Sequence, residues 1–72
     1  MKFEQILPAI KSGGKATRAG WNGKGLWVAA QYPDEGSKMG RPYVYLSTAD
    51  GTCVPWAVSA GDLFADDWEV LL

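Results

Sequence analysis

Six consecutive residues, Gly20-Trp21-Asn22-Gly23-Lys24-Gly25, carry the strongest hint of chemistry in this chain. Three glycines among six positions let backbone approach a ligand closely and leave its N–H groups open. Trp21 offers a flat face on which a purine could stack, a contact that contributes about 1–3 kcal/mol between bases and aromatic side chains. Lys24 adds a mobile cation for a phosphate, and Asn22 can donate and accept along the polar edge of a base or ribose. The same residues also read as plain structure. Asn-Gly is a strong hairpin signal because a type I′ turn needs positive φ at both central residues. From the residues alone, a ligand-binding turn and an ordinary hairpin with a half-buried tryptophan stand side by side.

A second group lies downstream, where Trp56 follows Pro55 and precedes Ser59 and Asp62. Tryptophan is usually mostly buried, so packing in a core or interface is the favoured role for Trp56. The functional alternative puts its ring at the rim of a pocket, with the N-terminus of a helix starting at Ser59 aimed at an anion. Trp27 and Trp68 lie within strand patterns and read as core.

Catalysis requires groups that this chain lacks or scatters. Without histidine there is no Ser-His or Cys-His pair to generate a nucleophile. Cys53, the single cysteine, sits in a strand signal and reads as a small buried residue rather than a reactive thiolate. Asp66 and Asp67 would point to opposite faces of a strand, and they read as the solvated end of a short helix. A hydrolase using Asp62, Asp66 and Asp67 with Mg²⁺ is the weakest reading, and no spacing matches a calcium loop or a phosphate loop. The expectation is a binding protein, not an enzyme, with no cofactor and no metal.

The elements that must position these residues follow from periodicity. Phe3, Ile6, Leu7 and Ile10 recur at helical spacing, and Gly13-Gly14 supplies a C-terminal stop. Pro8 removes a hydrogen bond inside that helix, which predicts a kink or a late start. The pattern then alternates. Ala16 to Trp21 and Leu26 to Tyr32 read as strands of a first hairpin turned at Asn22-Gly23. That register sets Arg18 opposite Trp27 and allows a cation–π contact. Residues 33–42 form a polar connector that could also serve as a lid or an interface arm. Tyr43 to Thr48 and Thr52 to Val58 form a second hairpin turned at Asp50-Gly51, with Tyr45 opposite Trp56. Pro55 marks its last strand as an edge or a bulge. Ser59 to Asp62 has the form of a capping box before a short helix over residues 60–65, and Trp68 to Leu72 is a final strand. The predicted fold is α+β: an N-terminal amphipathic helix, an antiparallel sheet of two hairpins plus a C-terminal strand, and one short helix between.

Composition limits the partners. At 72 residues the chain is one domain, residues 1–72, burying only about 60% of the surface its unfolded form exposes. Small domains of this kind gain stability from disulfides, a metal or association. One cysteine and no histidine leave association. A hydrophobic content of 47% with four tryptophans points the same way, so a homo-oligomer is expected. Seven basic and eight acidic residues give a net charge of -1, which provides no basic stripe for duplex DNA. No apolar run spans a membrane and no signal peptide is apparent, so the expected location is the cytoplasm.

Taken as a set, Gly20-Trp21-Asn22-Gly23-Lys24-Gly25, Thr48-Ala49-Asp50-Gly51-Thr52, Val54-Pro55-Trp56 and Asp66-Asp67-Trp68-Glu69-Val70 resemble a small family of phage and prophage proteins that includes the second type of Thoeris anti-defence protein. The similarity runs over nearly the whole chain and takes in Lys11-Ser12-Gly13-Gly14-Lys15 and Arg18-Ala19-Gly20. The resemblance implies a sponge that sequesters, without cleaving it, the cyclic ADP-ribose isomer made by a host TIR-domain enzyme. It also implies a homotetramer with ligand sites between subunits, and in some relatives a separate site for cyclic dinucleotides. The binding role it implies falls on Trp21, Asn22, Gly23 and Lys24, and on Thr48, Asp50, Trp56, Ser59 and Asp62. The alternative is a small oligomeric structural or protein-interaction module with no small-molecule ligand.

Overall fold

A computed structural model of the chain describes residues 1–21 and 25–71. The chain begins with helix α1 (Phe3–Lys11), followed by strands β1 (Lys15–Arg18), β2 (Trp27–Gln31), β3 (Tyr43–Ser47) and β4 (Cys53–Pro55), the short helix α2 (Ala60–Phe64) and strand β5 (Trp68–Leu71). The strands form one sheet in the order β4-β3-β2-β1-β5, and every neighbouring pair is antiparallel. This is the expected α+β architecture. Among the described residues no helix is long and apolar enough to cross a membrane.

Helix α1 buries Ile6 and Ile10 completely, as their i, i+4 spacing dictates. It starts at Phe3 and runs through Pro8, so the late start does not occur. The carbonyl left without a donor is that of Glu4, an exposed residue of the first turn, where water can replace the missing N–H. The helix ends in a Schellman motif: Gly14 N–H donates to Ala9 O at 2.8 Å and Gly13 N–H to Ile10 O at 3.1 Å. Gly13 holds φ at 95°, which favours glycine at that position.

The sheet face carrying Ala16, Val28 and Trp68 packs on α1, and these residues with Ile6 and Ile10 are the buried core. Helix α2 lies over the same face, since the Trp68 indole Nε1–H reaches Asp62 O at 2.8 Å. Both sheet edges are blunted. Pro55 lies in edge strand β4, and on β5 Met1 and Trp68 exchange two backbone hydrogen bonds of 2.8 and 3.0 Å.

Both hairpin registers differ from expectation by one residue. Ala16 pairs with Val28, which sets Arg18 across from Leu26 rather than Trp27. The turn expected at Asn22-Gly23 lies outside the described residues. A one-residue slip sends a side chain to the other face of a sheet. Trp27 is accordingly on the face away from the helices, half-buried instead of in the core. There it meets Tyr45 at 5.8 Å, and Lys15, not Arg18, supplies the cation over its ring at 4.2 Å. In the second hairpin Tyr45 pairs with Pro55 and Ser47 with Cys53, so Tyr45 and Trp56 are not opposite one another. The loop is three residues, Ala49 to Gly51, closed by Thr48 N–H to Thr52 O at 2.8 Å, with Gly51 at φ 87°. A three-residue loop with a left-handed last residue is the next common hairpin after the two-residue kind. Cys53, expected buried, is exposed on edge strand β4.

Candidate functional site

Arg18 stands two residues after Ala16, on the helix-covered face of β1 and across from Trp68 of β5, where it organises a corner of the molecule. Its Nε donates to Asp67 Oδ1 at 2.7 Å and its NH1 to Asp62 Oδ1 at 2.6 Å. Asp67 was expected at a solvated helix end, and instead it is half-buried against this guanidinium. Its other oxygen accepts Gly20 N–H at 2.7 Å. A Cβ added at Gly20 would stand 2.7 Å from that oxygen, so the close approach requires glycine. Ala19 N–H also donates to Asp67 O at 3.1 Å. Together these bonds pin the segment leaving β1 to the segment entering β5.

Asp62 holds the next residue along. The indole Nε1–H of Trp21 donates to Asp62 Oδ1 at 3.0 Å, the oxygen that also takes Arg18. Ser59 Oγ–H donates to Asp62 Oδ2 at 2.9 Å and in turn accepts Asp62 N–H at 3.1 Å. The expected cap on α2 is therefore present, with the carboxylate meeting the Ser59 hydroxyl. The first regular bond of α2 runs from Leu63 N–H to Ser59 O at 2.9 Å, and the Asp62 carboxylate stands in the first turn. A carboxylate thus stands at the helix start where the sequence suggested an anion site.

The tryptophans interlock over this frame. Trp21 meets Trp68 edge to face at 5.2 Å and Trp56 at 6.4 Å, and Trp56 meets Trp68 at 6.2 Å. Phe3 closes the cluster against Trp68 at 5.4 Å. Such pairs favour tilted and T-shaped geometry because the ring faces are electron-rich and the edges electron-poor. Between Trp21, Leu26, Leu46, Trp56 and Asp62 lies an open hollow of about 250 Å³. Its walls are two indoles, two leucines and one carboxylate. Ligand pockets usually enclose roughly 300–1,000 Å³, so this hollow is smaller than a pocket for a whole nucleotide-sized molecule.

The charges are set by these contacts. Among the described residues the corner combines one cation with two carboxylates, leaving one net negative charge. Burial pushes Asp62 upward, but hydrogen bonds from Trp21, Arg18 and Ser59 outweigh it and leave its carboxyl below the ordinary value. The Arg18 hydrogen bond, opposed by burial and supported by Gly20 N–H, lowers Asp67 as well. Bonds to Asp67 and then Asp62 raise Arg18 further above its already high value.

Of the residues singled out in the sequence, Trp21, Trp56 and Asp62 come together at the hollow, with Ser59 behind Asp62. Asn22, Gly23 and Lys24 lie outside the described residues. Thr48 and Asp50 do not line the hollow. Asp50 accepts from the Thr48 hydroxyl, from Thr52 N–H at 3.0 Å and from the Thr52 hydroxyl at 2.7 Å, all inside its own turn. These bonds, the Thr48 hydroxyl first, lower its carboxyl to about 2. Sequence reasoning missed Arg18, Asp67, Leu26 and Leu46. For Arg18 a signal was available, because it stands two residues after Ala16 and so on the same face of the strand. A guanidinium on a covered face calls for carboxylate partners.

A family model described as a Thoeris anti-defense 2-like domain (Tad2-like) matches residues 1–71 of the chain. Among characterised proteins, Thoeris anti-defense 2 of Bacillus phage SP01 is similar to it, with 27% identity over 84 aligned residues that cover 99% of this chain and 94% of the relative.

Proposed function

We propose, from the premise that this chain belongs to the Thoeris anti-defense 2-like family, that it is a phage anti-defence protein that binds and holds the cyclic ADP-ribose-type signal of Thoeris immunity without cleaving it. The observation that carries this reading is the hollow walled by Trp21 and Trp56, an aromatic slot suited to a purine ring. A net negative charge beside the slot disfavours a phosphate there, so the base is the part of the ligand that enters. Lys24, and Asn22 and Gly23 beside it, follow Trp21 directly in the chain and are the proposed contacts for phosphate and ribose. Thr48 and Asp50, whose hydrogen bonds stay within their turn, are the weakest members of the proposed contact set. Because the hollow is smaller than a full ligand pocket, the site is completed by a second subunit of a homo-oligomer, proposed as a tetramer. Sequestration needs only tight binding, and Kd near 1 nM corresponds to about −12 kcal/mol.

The test is to incubate the purified protein with the cyclic ADP-ribose isomer made by a TIR-domain enzyme, remove free ligand, and heat-denature the complex. Intact ligand should be released. No association, or release of a cleaved product, refutes the sponge. A cyclic dinucleotide in a parallel sample tests for a second ligand class.

One observation favours a different reading. Phe64 is 85% exposed and its neighbour Leu63 42% exposed on α2, an apolar display that suits a protein-interaction module. A thermal-shift screen separates the two, because a ligand at 100 times its Kd adds about 2.7 kcal/mol to stability. No shift with any nucleotide would leave the interaction module as the better account.

A further inference from the structure

Asp62 is placed at the hollow, yet three of its roughly four acceptor sites are already used within the protein. Oδ1 accepts from both Trp21 Nε1 at 3.0 Å and Arg18 NH1 at 2.6 Å, and Oδ2 accepts from the Ser59 hydroxyl at 2.9 Å. A carboxylate that receives three donors from its own protein has little accepting capacity left for a ligand. What its bonds do determine is where an indole sits. Trp21 follows β1 on a short segment and is only half-buried. Two kinds of contact fix its ring: edge-to-face packing on Trp56 and Trp68, and the single hydrogen bond to Asp62. Arg18 steadies the acceptor from the other side, since its fork binds Asp62 and Asp67 together, a geometry that the point charge of a lysine would not reproduce. The Trp68 indole is also bonded to residue 62, through the main-chain carbonyl at 2.8 Å, so one residue orients two of the three tryptophans in the cluster.

We propose that Asp62, steadied by Arg18, is a positioning residue that orients the Trp21 ring as a wall of the hollow and does not itself contact the ligand. This rests on the reading of the hollow as a ligand site. Pre-fixing an aromatic ring that has only two side-chain torsions removes a cost otherwise met on binding, so the effect is read as affinity.

The two indole bonds provide the experiment, because one goes to the side chain of residue 62 and the other to its main chain. In ¹H–¹⁵N spectra of Asp62→Ala, with the Trp21 signal assigned from Trp21→Phe, the Trp21 indole resonance should move further than that of Trp68, which keeps its bond to the main chain. The Kd for the TIR-derived cyclic ADP-ribose isomer should weaken roughly tenfold. Asp62→Asn, which keeps an oxygen for the Trp21 indole, should lie closer to wild type than to Asp62→Ala in both readouts. A moved Trp21 resonance with unchanged affinity overturns the inference. So does weakened affinity with an unmoved resonance, which would make Asp62 a direct ligand contact. If the alanine variant does not fold, Asp62→Asn decides by the same readouts: with the Trp21 resonance retained, retained affinity supports positioning and lost affinity overturns it. A wild-type protein that binds no probe removes the ligand reading itself, and this inference with it. Wild-type binding matched by Asp62→Ala removes this inference alone.

Discussion

Two carboxylates organise two corners of this molecule from opposite distances along the chain. Asp50 takes its donors from residues two positions away, Thr48 and Thr52. Asp62 takes two of its donors from Arg18 and Trp21, 44 and 41 residues away. Both carboxyl groups are held below the ordinary value by hydrogen bonds. The consequences differ. The Asp50 cluster closes on itself and shapes one hairpin turn. The Asp62 cluster, with Arg18 and Asp67, joins the exit of β1, helix α2 and the start of β5, and it leaves an aromatic wall facing a hollow. A similar degree of hydrogen bonding makes a turn in one place and a candidate site in the other, because only the second set bridges separate elements.

This contrast can be broken or sharpened by substitution. The largest effect should come from Trp68→Ala. Its ring is fully buried in the core and touches Phe3, Trp21 and Trp56, so urea unfolding should show a loss of about 3–5 kcal/mol. A loss below 1 kcal/mol would mean that the corner is not joined to the core. Trp21→Ala should cost ligand binding about 1–3 kcal/mol by calorimetry while amide exchange in the Thr48–Thr52 turn stays as in wild type. Altered protection in that turn would show that the two corners are coupled. Gly20→Ala forces a Cβ against a carboxylate oxygen already bound by Gly20 N–H and should destabilise by about 1–3 kcal/mol. Gly40→Ala, with open space around the added carbon, is the matched control and should be near neutral in the same melts.

Acid provides a further test. The carboxyls of Asp62 and Asp67 lie below their ordinary value of 3.8 in the folded chain, so below that value the unfolded chain binds protons more readily. Their stabilisation is fully present above about pH 5 and is lost as pH falls through 3.8 toward the folded values. Asp67→Asn should flatten the acid limb of a stability–pH curve and leave its neutral plateau flat. An unchanged acid limb would show that the Arg18 contact contributes nothing to it. The smallest effect belongs to Asp50→Asn, since asparagine also bonds the backbone two residues on. Ligand affinity should stay at the wild-type value and the melting temperature should fall only slightly. A loss of affinity would move Asp50 from the turn to the site.

What the sequence determined by itself is the buried face and the end of α1, the cap of α2 and the order of the strands. Ile6 and Ile10 at helical spacing fixed the buried face of α1, Gly13-Gly14 its end, and Ser59 with Asp62 the cap of α2. Alternating apolar residues gave five strands in order. These are local rules, and the local residues suffice to apply them. Only the tertiary structure decided the two hairpin registers and the partners of Arg18. A slip of one residue costs nothing that a propensity rule can detect, yet it left Trp27 outside the core and set Pro55 rather than Trp56 opposite Tyr45. The aromatic residues of the hollow were legible as candidates. Their arrangement was not, because it depends on hydrogen bonds between residues more than 40 positions apart, and no spacing along the chain encodes these.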